Sequence, residues 1–159
     1  MNGFRLDTRP SDAPLASGVE REVMPVIDDV DLLAAIAAFE RQMGFDLPGS
    51  YGGIIVHAER LGQDVGVGLG HLGVGSLLDH FMGRRVSPLR ERGTAVLGCG
   101  CGDVECWPLL ADIDLDDRVV TWSSFRQPWR PQQDYRGFGR FTFDRSAYER
   151  AIVETAATF

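Results

Sequence analysis

Lysine is absent from the sequence, so all 16 basic residues are arginines, and they are outnumbered by 23 acidic residues. The net charge of -7 argues against nucleic-acid binding, because proteins that bind phosphate backbones need a basic surface. Long apolar runs are also absent, since no stretch approaches the ~20 apolar residues that span a bilayer. The first residues lack the apolar core of a signal peptide. We therefore predict a cytoplasmic protein that binds neither nucleic acid nor membranes.

Cysteine is scarce, and all three cysteines lie in the short segment from Cys99 to Cys106. An odd number of cysteines in one cluster does not form a framework of structural disulfides, which favours a reducing compartment. The familiar zinc-binding pattern has two residues between its cysteines and a second such pair elsewhere, and this sequence has neither. The motifs G-x-S-x-G and H-E-x-x-H are missing as well, so no common hydrolase pattern supports an enzyme.

The spacing C-x-C-x4-C nevertheless predicts that three sulfur atoms meet at one bend. Side chains two residues apart on an extended strand share a face, so Cys99 and Cys101 would point the same way. The glycine and aspartate that follow favour a tight turn, which would return Cys106 towards them. Such a group would hold zinc with a fourth ligand, and we assign that position to His80. The other residues that we consider for it are His57, His71 and Asp103.

Two other interpretations of the cysteine cluster stay open at this point. The thiols would pack as small apolar groups beside a glycine-rich turn, without any chemistry. They would otherwise react, either in a thiol-dependent enzyme or in a redox switch. A disulfide between Cys99 and Cys101 would close a very small, strained ring, which suits a switch better than a structural link.

The pattern of the whole chain predicts a single α+β domain over residues 1–159, with an antiparallel sheet flanked by two main helices. We expect the two helices at about 29–43 and 145–157. In the first of them, an apolar stripe should face the core, formed by Leu32, Ile36, Phe39 and Met43. Residues 1–18 are rich in turn formers, and they predict a loose N-terminal lead-in with a short strand at 4–7.

A β-hairpin is the clearest prediction in the second half of the chain. Apolar and polar residues alternate from Leu109 to Asp116, which is typical of a strand with one buried face. Asp116 and Asp117 supply a reversal, and residues 119–125 return as the partner strand. A shorter helix is expected at about 76–82, and it carries His80.

Residues 122–131 read WSSFRQPWRP, a segment that is aromatic, basic and stiffened by proline. Tryptophan and arginine dominate the energetics of many protein interfaces, so the composition predicts a surface that contacts another protein. The residues that we assign to it are Trp122, Phe125, Arg126, Trp129 and Arg130. In the simpler interpretation, the aromatic rings of this segment only cover the sheet.

Two parts of the chain resemble known groups of proteins. Over residues 32–56, Phe39-Glu40 is followed by Gly44, Leu47-Pro48 and Tyr51, which resembles the signature of the SUKH superfamily. Bacterial members of that superfamily include immunity proteins that neutralise toxins, so this resemblance implies an immunity-like partner-binding role. Over residues 97–150, the turn C-x-C-G-x3-C-W-P resembles a group of small bacterial proteins with no established activity, which implies a lineage and no mechanism.

Taken together, these features predict a non-enzymatic binding module that contacts another protein. The alternatives are a zinc protein with a site at Cys99, Cys101 and Cys106, and a thiol-dependent enzyme or redox switch.

Overall fold

The computed structural model describes residues 1–11, 21–57, 72–85, 93–103 and 106–159. Ten strands lie in these ranges, in chain order: β1 (Phe4–Pro10), β2 (Arg21–Ile27), β3 (Val30–Asp31), β4 (Tyr51–Gly52), β5 (Ile54–His57), β6 (Leu72–Gly73), β7 (Thr94–Cys99), β8 (Leu109–Leu115), β9 (Val119–Arg126) and β10 (Phe141–Asp144). The helices in the same ranges are α1 (Leu32–Met43), α2 (Leu77–Phe81) and α3 (Arg145–Ala156), with a 3-10 turn at Val74–Ser76 before α2. The predicted α+β class is therefore confirmed.

The strands form two five-stranded sheets, where the sequence had predicted one. In the first sheet the order is β1-β2-β5-β6, with β3 beside β2, and all pairs are antiparallel except β5 with β6. The second sheet has the order β10-β9-β8-β7-β4 and is antiparallel throughout. The short strand β4 therefore lies at the edge of the second sheet, next to the strand that ends at Cys99.

The short strand predicted at 4–7 is confirmed but extends to Pro10, so the predicted loose N-terminal lead-in over 1–18 is wrong for residues 8–10. Strand β1 runs from Phe4 to Pro10 and pairs with β2 along its whole length, from Phe4 opposite Ile27 to Pro10 opposite Arg21. Its inward-facing Leu6 is buried, and burial of this apolar residue favours the ordered strand. Proline is tolerated at the end of such a strand, where it does not interrupt the ladder. The remainder of the predicted lead-in lies outside the described residues.

The predicted hairpin is confirmed as β8 and β9. Its turn is fixed by Asp116, whose carboxylate accepts hydrogen bonds from the backbone N–H groups of Arg118 and Val119, at 2.8 and 2.7 Å. The backbone N–H of Asp116 in turn donates to the carbonyl of Val119. These bonds to backbone donors lower the pKa of the Asp116 carboxyl, because they favour its charged form.

Helix α1 ends at the predicted residue, Met43, and begins at Leu32, three residues later than predicted. The carboxylate of Asp31 accepts a hydrogen bond from the N–H of Ala34, and Gly44 follows the last turn with a φ of 72°. Its buried face differs from the predicted stripe, because Ala37 and Glu40 are buried whereas Met43 is 48% exposed. The buried face of α1 therefore includes Glu40, whose hydrogen bonds to neighbouring segments are described below.

Helix α3 has Asp144 as its N-cap and buries Tyr148, Ile152 and Thr155. One continuous hydrophobic core joins both sheets and all three helices, and its largest fully buried side chains include Trp122, Tyr148, Phe81 and Phe143. None of the helices in the described ranges has both the length and the apolarity needed to cross a membrane.

Candidate metal centre

The three cysteines lie on a tight loop at the end of β7. Cys99 is the last residue of that strand and pairs with Tyr51 of β4. The backbone N–H of Gly102 donates to the carbonyl of Cys99 at 3.0 Å, and Gly102 has a φ of 102°, which a residue with a side chain rarely adopts. A second turn follows, in which the N–H of Cys106 donates to the carbonyl of Asp103 at 3.1 Å. These turns bring all three sulfur atoms within 4.8 Å of one another.

This geometry is close to that of a thiolate metal site. Zinc–sulfur bonds of about 2.3 Å in a tetrahedron place the sulfur atoms about 3.8 Å apart, so a shift of roughly 1 Å would complete the site. Cys99 and Cys101 are half-buried and Cys106 is exposed, and none of the three forms a disulfide. Packing as small apolar groups would bury the thiols, whereas these lie at the surface and face one another. The cluster is therefore close enough to hold a metal ion.

Two thiols of the loop, those of Cys99 and Cys106, hold their protons strongly in the absence of a metal. The pKa of Cys99 is raised to about 12, first by burial and then by its neighbours Cys101 and Cys106. The pKa of Cys106 is also raised: a hydrogen bond with Cys99 lowers it, but burial, Cys101 and the charge of Asp103 together outweigh that bond. A nucleophilic cysteine needs a lowered pKa, so these two environments do not favour thiolate catalysis at neutral pH.

The prediction that His80 is the fourth ligand is wrong. Within the described residues, the group that could hold a metal contains the three cysteines and no histidine. His80 is 8% exposed, and its Nε2 lies 2.7 Å from the carbonyl oxygen of Ala95, while Nδ1 lies 3.2 Å from a guanidinium nitrogen of Arg85. Ala95 and Cys99 are four residues apart on β7, or about 13 Å along a strand, so the ring is directed away from the sulfurs.

The remaining candidates for the fourth ligand do not complete the group either. His57 ends β5 in the other sheet, and neither it nor Asp103 belongs to the group of converging ligand atoms. His71 lies outside the described residues. In the described part of the chain, the group that could hold a metal ion therefore consists of the three cysteines alone.

A buried carboxylate anchors the strand beside Cys99. Glu40 of α1 is 2% exposed, and its side chain accepts hydrogen bonds from the N–H of Gly49 at 2.9 Å and from the hydroxyls of Tyr51 and Tyr135. Burial, and after it the contact with Glu40, raises the pKa of both tyrosines. Because Tyr51 pairs with Cys99, Glu40 holds the segment that lines one side of the cysteine loop. Sequence analysis missed this role, although a glutamate four residues after buried Ile36 is a signal of it.

The other side of the loop is held by Gln127 and Arg130. The amide of buried Gln127 donates to the carbonyl of Pro108 at 3.0 Å and accepts from the N–H of Trp129 at 2.9 Å. The guanidinium of Arg130 lies 4.9 Å from the ring centre of Trp107, which directly follows Cys106, and it also forms an ion pair with Asp46. The indole N–H of Trp107 is buried and has no hydrogen-bond acceptor among the described residues.

The structure separates the five residues that were predicted to contact a partner. Trp122 and Phe125 are 0% and 5% exposed, so both belong to the core and are corrections to the predicted surface. Both lie on β9, and their rings pack against other aromatic rings of the protein. Arg126 is half-buried and donates to Asp112 and to the carbonyl of Ser124. Trp129, at 49% exposed, is accessible, and Arg130 lies beside it.

Comparison with known proteins identified no relative of this chain. No protein-family model matches the chain, and no curated protein or solved structure is similar enough to count as a match. The resemblances noted for residues 32–56 and 97–150 therefore stay predictions. What this chain does has to be inferred from the geometry of its own residues.

Proposed function

We propose that the protein binds one thiophilic metal ion, zinc in the first instance, through Cys99, Cys101 and Cys106. The observation that carries this proposal is the approach of the three sulfur atoms to within 4.8 Å at the surface of the molecule. Three thiolates are soft ligands of the kind that zinc and copper(I) prefer over hard cations. The fourth position is taken by water or by a small ligand, as in zinc sites that keep one exchangeable coordination position.

The surroundings of the loop support metal binding better than thiol chemistry. Glu40 and Tyr51 fix the strand before the loop, and Gln127 fixes Pro108 after it, so the sulfurs are held together by the fold. A preformed ligand set loses little conformational freedom when the metal binds. A reactive thiol would need a neighbouring positive charge or a base, and the raised pKa values of Cys99 and Cys106 point the other way.

Elemental analysis of protein purified without chelator tests this proposal. We expect about one equivalent of zinc per chain, and we expect each of Cys99→Ser, Cys101→Ser and Cys106→Ser to lose most of it. The matched control is His80→Gln, which removes the imidazole that the sequence suggested as a ligand and should leave the zinc content unchanged. Cobalt substitution should add thiolate-to-metal absorption to the wild type and to His80→Gln, and not to the cysteine variants. Metal-free protein that takes up no added zinc or copper(I) would contradict the proposal.

A second candidate function is contact with another protein through Trp129 and Arg130. The most specific version of it is an immunity-like role, in which the bound protein is a toxin. The observation that favours it is the 49% exposure of Trp129 on a loop held by Gln127 and by the ion pair of Arg130 with Asp46. A large aromatic side chain on a fixed loop is typical of interface anchors. Trp122 and Phe125 do not belong to this surface.

Photo-crosslinking in living bacteria tests the second candidate. A photoreactive amino acid in place of Trp129 should give one discrete crosslinked species. The same residue in place of Val153, which is 53% exposed on α3, serves as the control and should give none. Trp129→Ala should change the free energy of unfolding by less than about 0.5 kcal/mol, because surface substitutions rarely do more. Equal crosslinking from both positions, or none from Trp129, would contradict a contact at this loop.

A further inference from the structure

A cleft lies at the end of β9. It has a volume of about 760 Å³, and its lining includes Ser123, Ser124, Arg126, Tyr135, Arg136 and Arg140. We call it the arginine cleft, after Arg126, Arg136 and Arg140. Its volume is within the range of pockets that hold small molecules, about 300 to 1,000 Å³.

The charge of the arginine cleft is opposite to that of the whole molecule. The chain carries a net charge of -7, yet three guanidinium groups and only one carboxylate, that of Asp134, line this cleft. Clefts lined by one sign of charge concentrate ligands of the opposite sign. An anionic ligand would therefore be favoured here, although the protein surface as a whole repels anions.

Two of the three guanidinium groups are held in place, and the third has no charged partner. Arg126 donates to Asp112 at 3.2 Å and to the carbonyl of Ser124 at 2.8 Å. Arg136 forms a two-pronged ion pair with Asp134, with contacts of 2.8 and 3.0 Å. Arg140 is exposed and forms no ion pair or hydrogen bond with the described residues. Its charge is therefore free to meet a ligand, beside two guanidinium groups that are already oriented.

A bulge in β9 shapes the edge of the cleft. In the pairing with β8, Leu110 lies opposite Arg126 and Asp112 lies opposite Ser123, so β9 contains one extra residue over this interval. Ser124, within the bulge, has a φ of 54°, which is rare for a residue other than glycine. Bulges and such backbone conformations are common next to binding sites, where they redirect side chains. Here the bulge lies between Ser123 and Arg126, and both Ser123 and Ser124 line the same cleft as the arginines.

From these observations we infer that the arginine cleft binds a small organic molecule through a phosphate group. Guanidinium groups match phosphate oxygens with paired N–H donors, and serine hydroxyls add further donors to the same anion. The cleft is much larger than a phosphate ion, so its remaining volume accommodates an organic group. This inference is independent of the metal centre, because none of the three cysteines lines the cleft.

Calorimetric titration of the whole chain tests the inference with three probes: adenosine monophosphate, inorganic phosphate and adenosine. We expect saturable binding of the nucleotide, weaker binding of phosphate at the same site, and none of adenosine. Arg140→Gln should weaken nucleotide binding about tenfold or more, because a bond between charged groups is lost. Arg150→Gln, which removes an exposed arginine of α3, is the matched control and should leave the affinity unchanged.

Three results would overturn the inference. The first is the absence of saturable binding by both the nucleotide and phosphate. The second is equal affinity in Arg140→Gln and Arg150→Gln, which would place the ligand elsewhere. The third is binding of adenosine as tight as that of the nucleotide, which would show that the phosphate is not recognised. A chelated, zinc-free sample should bind the nucleotide as the untreated protein does, which separates this test from that of the metal centre.

Discussion

A cysteine sulfur has to lose its proton before it binds a metal ion, so the pKa of each thiol controls the affinity of the site. Burial and, after it, the neighbouring thiols of Cys101 and Cys106 together raise the pKa of Cys99 to about 12. The pKa of Cys106 is raised as well. Protons therefore compete with the metal throughout the neutral range, and the competition weakens as the pH rises.

We accordingly predict that zinc affinity increases with pH. Below the thiol pKa values, each proton released on binding changes the affinity by about tenfold per pH unit, so release of one to three protons gives a change of about 10-fold to 1,000-fold. Competition with a chelator of known affinity at about pH 6.5 and about pH 7.5 measures this change. An affinity that is the same at both pH values would mean that thiolates are not the ligands.

The residue scale also shows what the sequence allowed us to predict. The convergence of Cys99, Cys101 and Cys106 followed from their spacing and from the glycine at 102, because both are local properties of one loop. The wrong assignment of His80 concerned a contact between distant segments, which spacing does not determine. The burial of Trp122 had a local signal, because Trp122 follows buried Val120 at the two-residue period of a strand. The aromatic and basic composition of the segment that begins at Trp122 nevertheless suggested a surface.

At the scale of elements, α1 is joined to β4 by a charged group inside the protein. Burying a carboxylate costs free energy unless its oxygens accept hydrogen bonds, and Glu40 accepts three, from Gly49, Tyr51 and Tyr135. The two-residue strand β4 has few contacts of its own, so these bonds do much to keep Tyr51 opposite Cys99.

Glu40→Gln should therefore destabilise the protein by about 1 to 3 kcal/mol, because the new amide nitrogen cannot accept a hydrogen bond from either tyrosine hydroxyl. Urea denaturation measures the change in the free energy of unfolding. The control is Glu154→Gln, which changes an exposed residue of α3 and should alter the free energy of unfolding by less than about 0.5 kcal/mol. If the two variants were equally stable, Glu40 would not be a structural link.

Elements with strong local signals were predicted well, and pairings between distant segments were not. Asp31 and Asp144 mark the starts of α1 and α3, and the alternation from Leu109 onwards marks β8. Capping and strand periodicity depend on residues that are close in sequence. The division into two sheets depends on pairings such as Tyr51 with Cys99, which no local pattern determines. Strand β1 was predicted too short because its polar residues and Pro10 resemble a loop.

At the scale of the whole molecule, one chain of hydrogen bonds joins β9, α3 and α2 through the core. The indole N–H of Trp122 donates to the hydroxyl of Tyr148 at 3.0 Å, and that hydroxyl donates to the carbonyl of Phe81 at 2.5 Å. All three residues are fully buried, so each polar atom depends on this chain for its partner. Burial also raises the pKa of Tyr148, which keeps the hydroxyl protonated and able to donate.

Tyr148→Phe should lower the free energy of unfolding by about 1 to 3 kcal/mol, since it leaves a buried N–H and a buried carbonyl unpaired while keeping the ring. Thermal and urea denaturation measure the loss. Zinc content should stay at the wild-type value, because Trp122 and Tyr148 lie away from the cysteine loop. Unchanged stability would show that the hydroxyl contributes nothing to the core.

The three tryptophans occupy three different surroundings: Trp107 follows Cys106 under Arg130, Trp122 lies in the core, and Trp129 meets solvent. The emission wavelength of an indole ring depends on the polarity around it. Each tryptophan should therefore have its own emission maximum and its own sensitivity to quenchers. A dissolved quencher would reach Trp129 first and Trp122 last, and an ion arriving at the cysteines would alter mainly Trp107. The molecule thus contains intrinsic optical probes of its loop, its interior and its surface, without any added label.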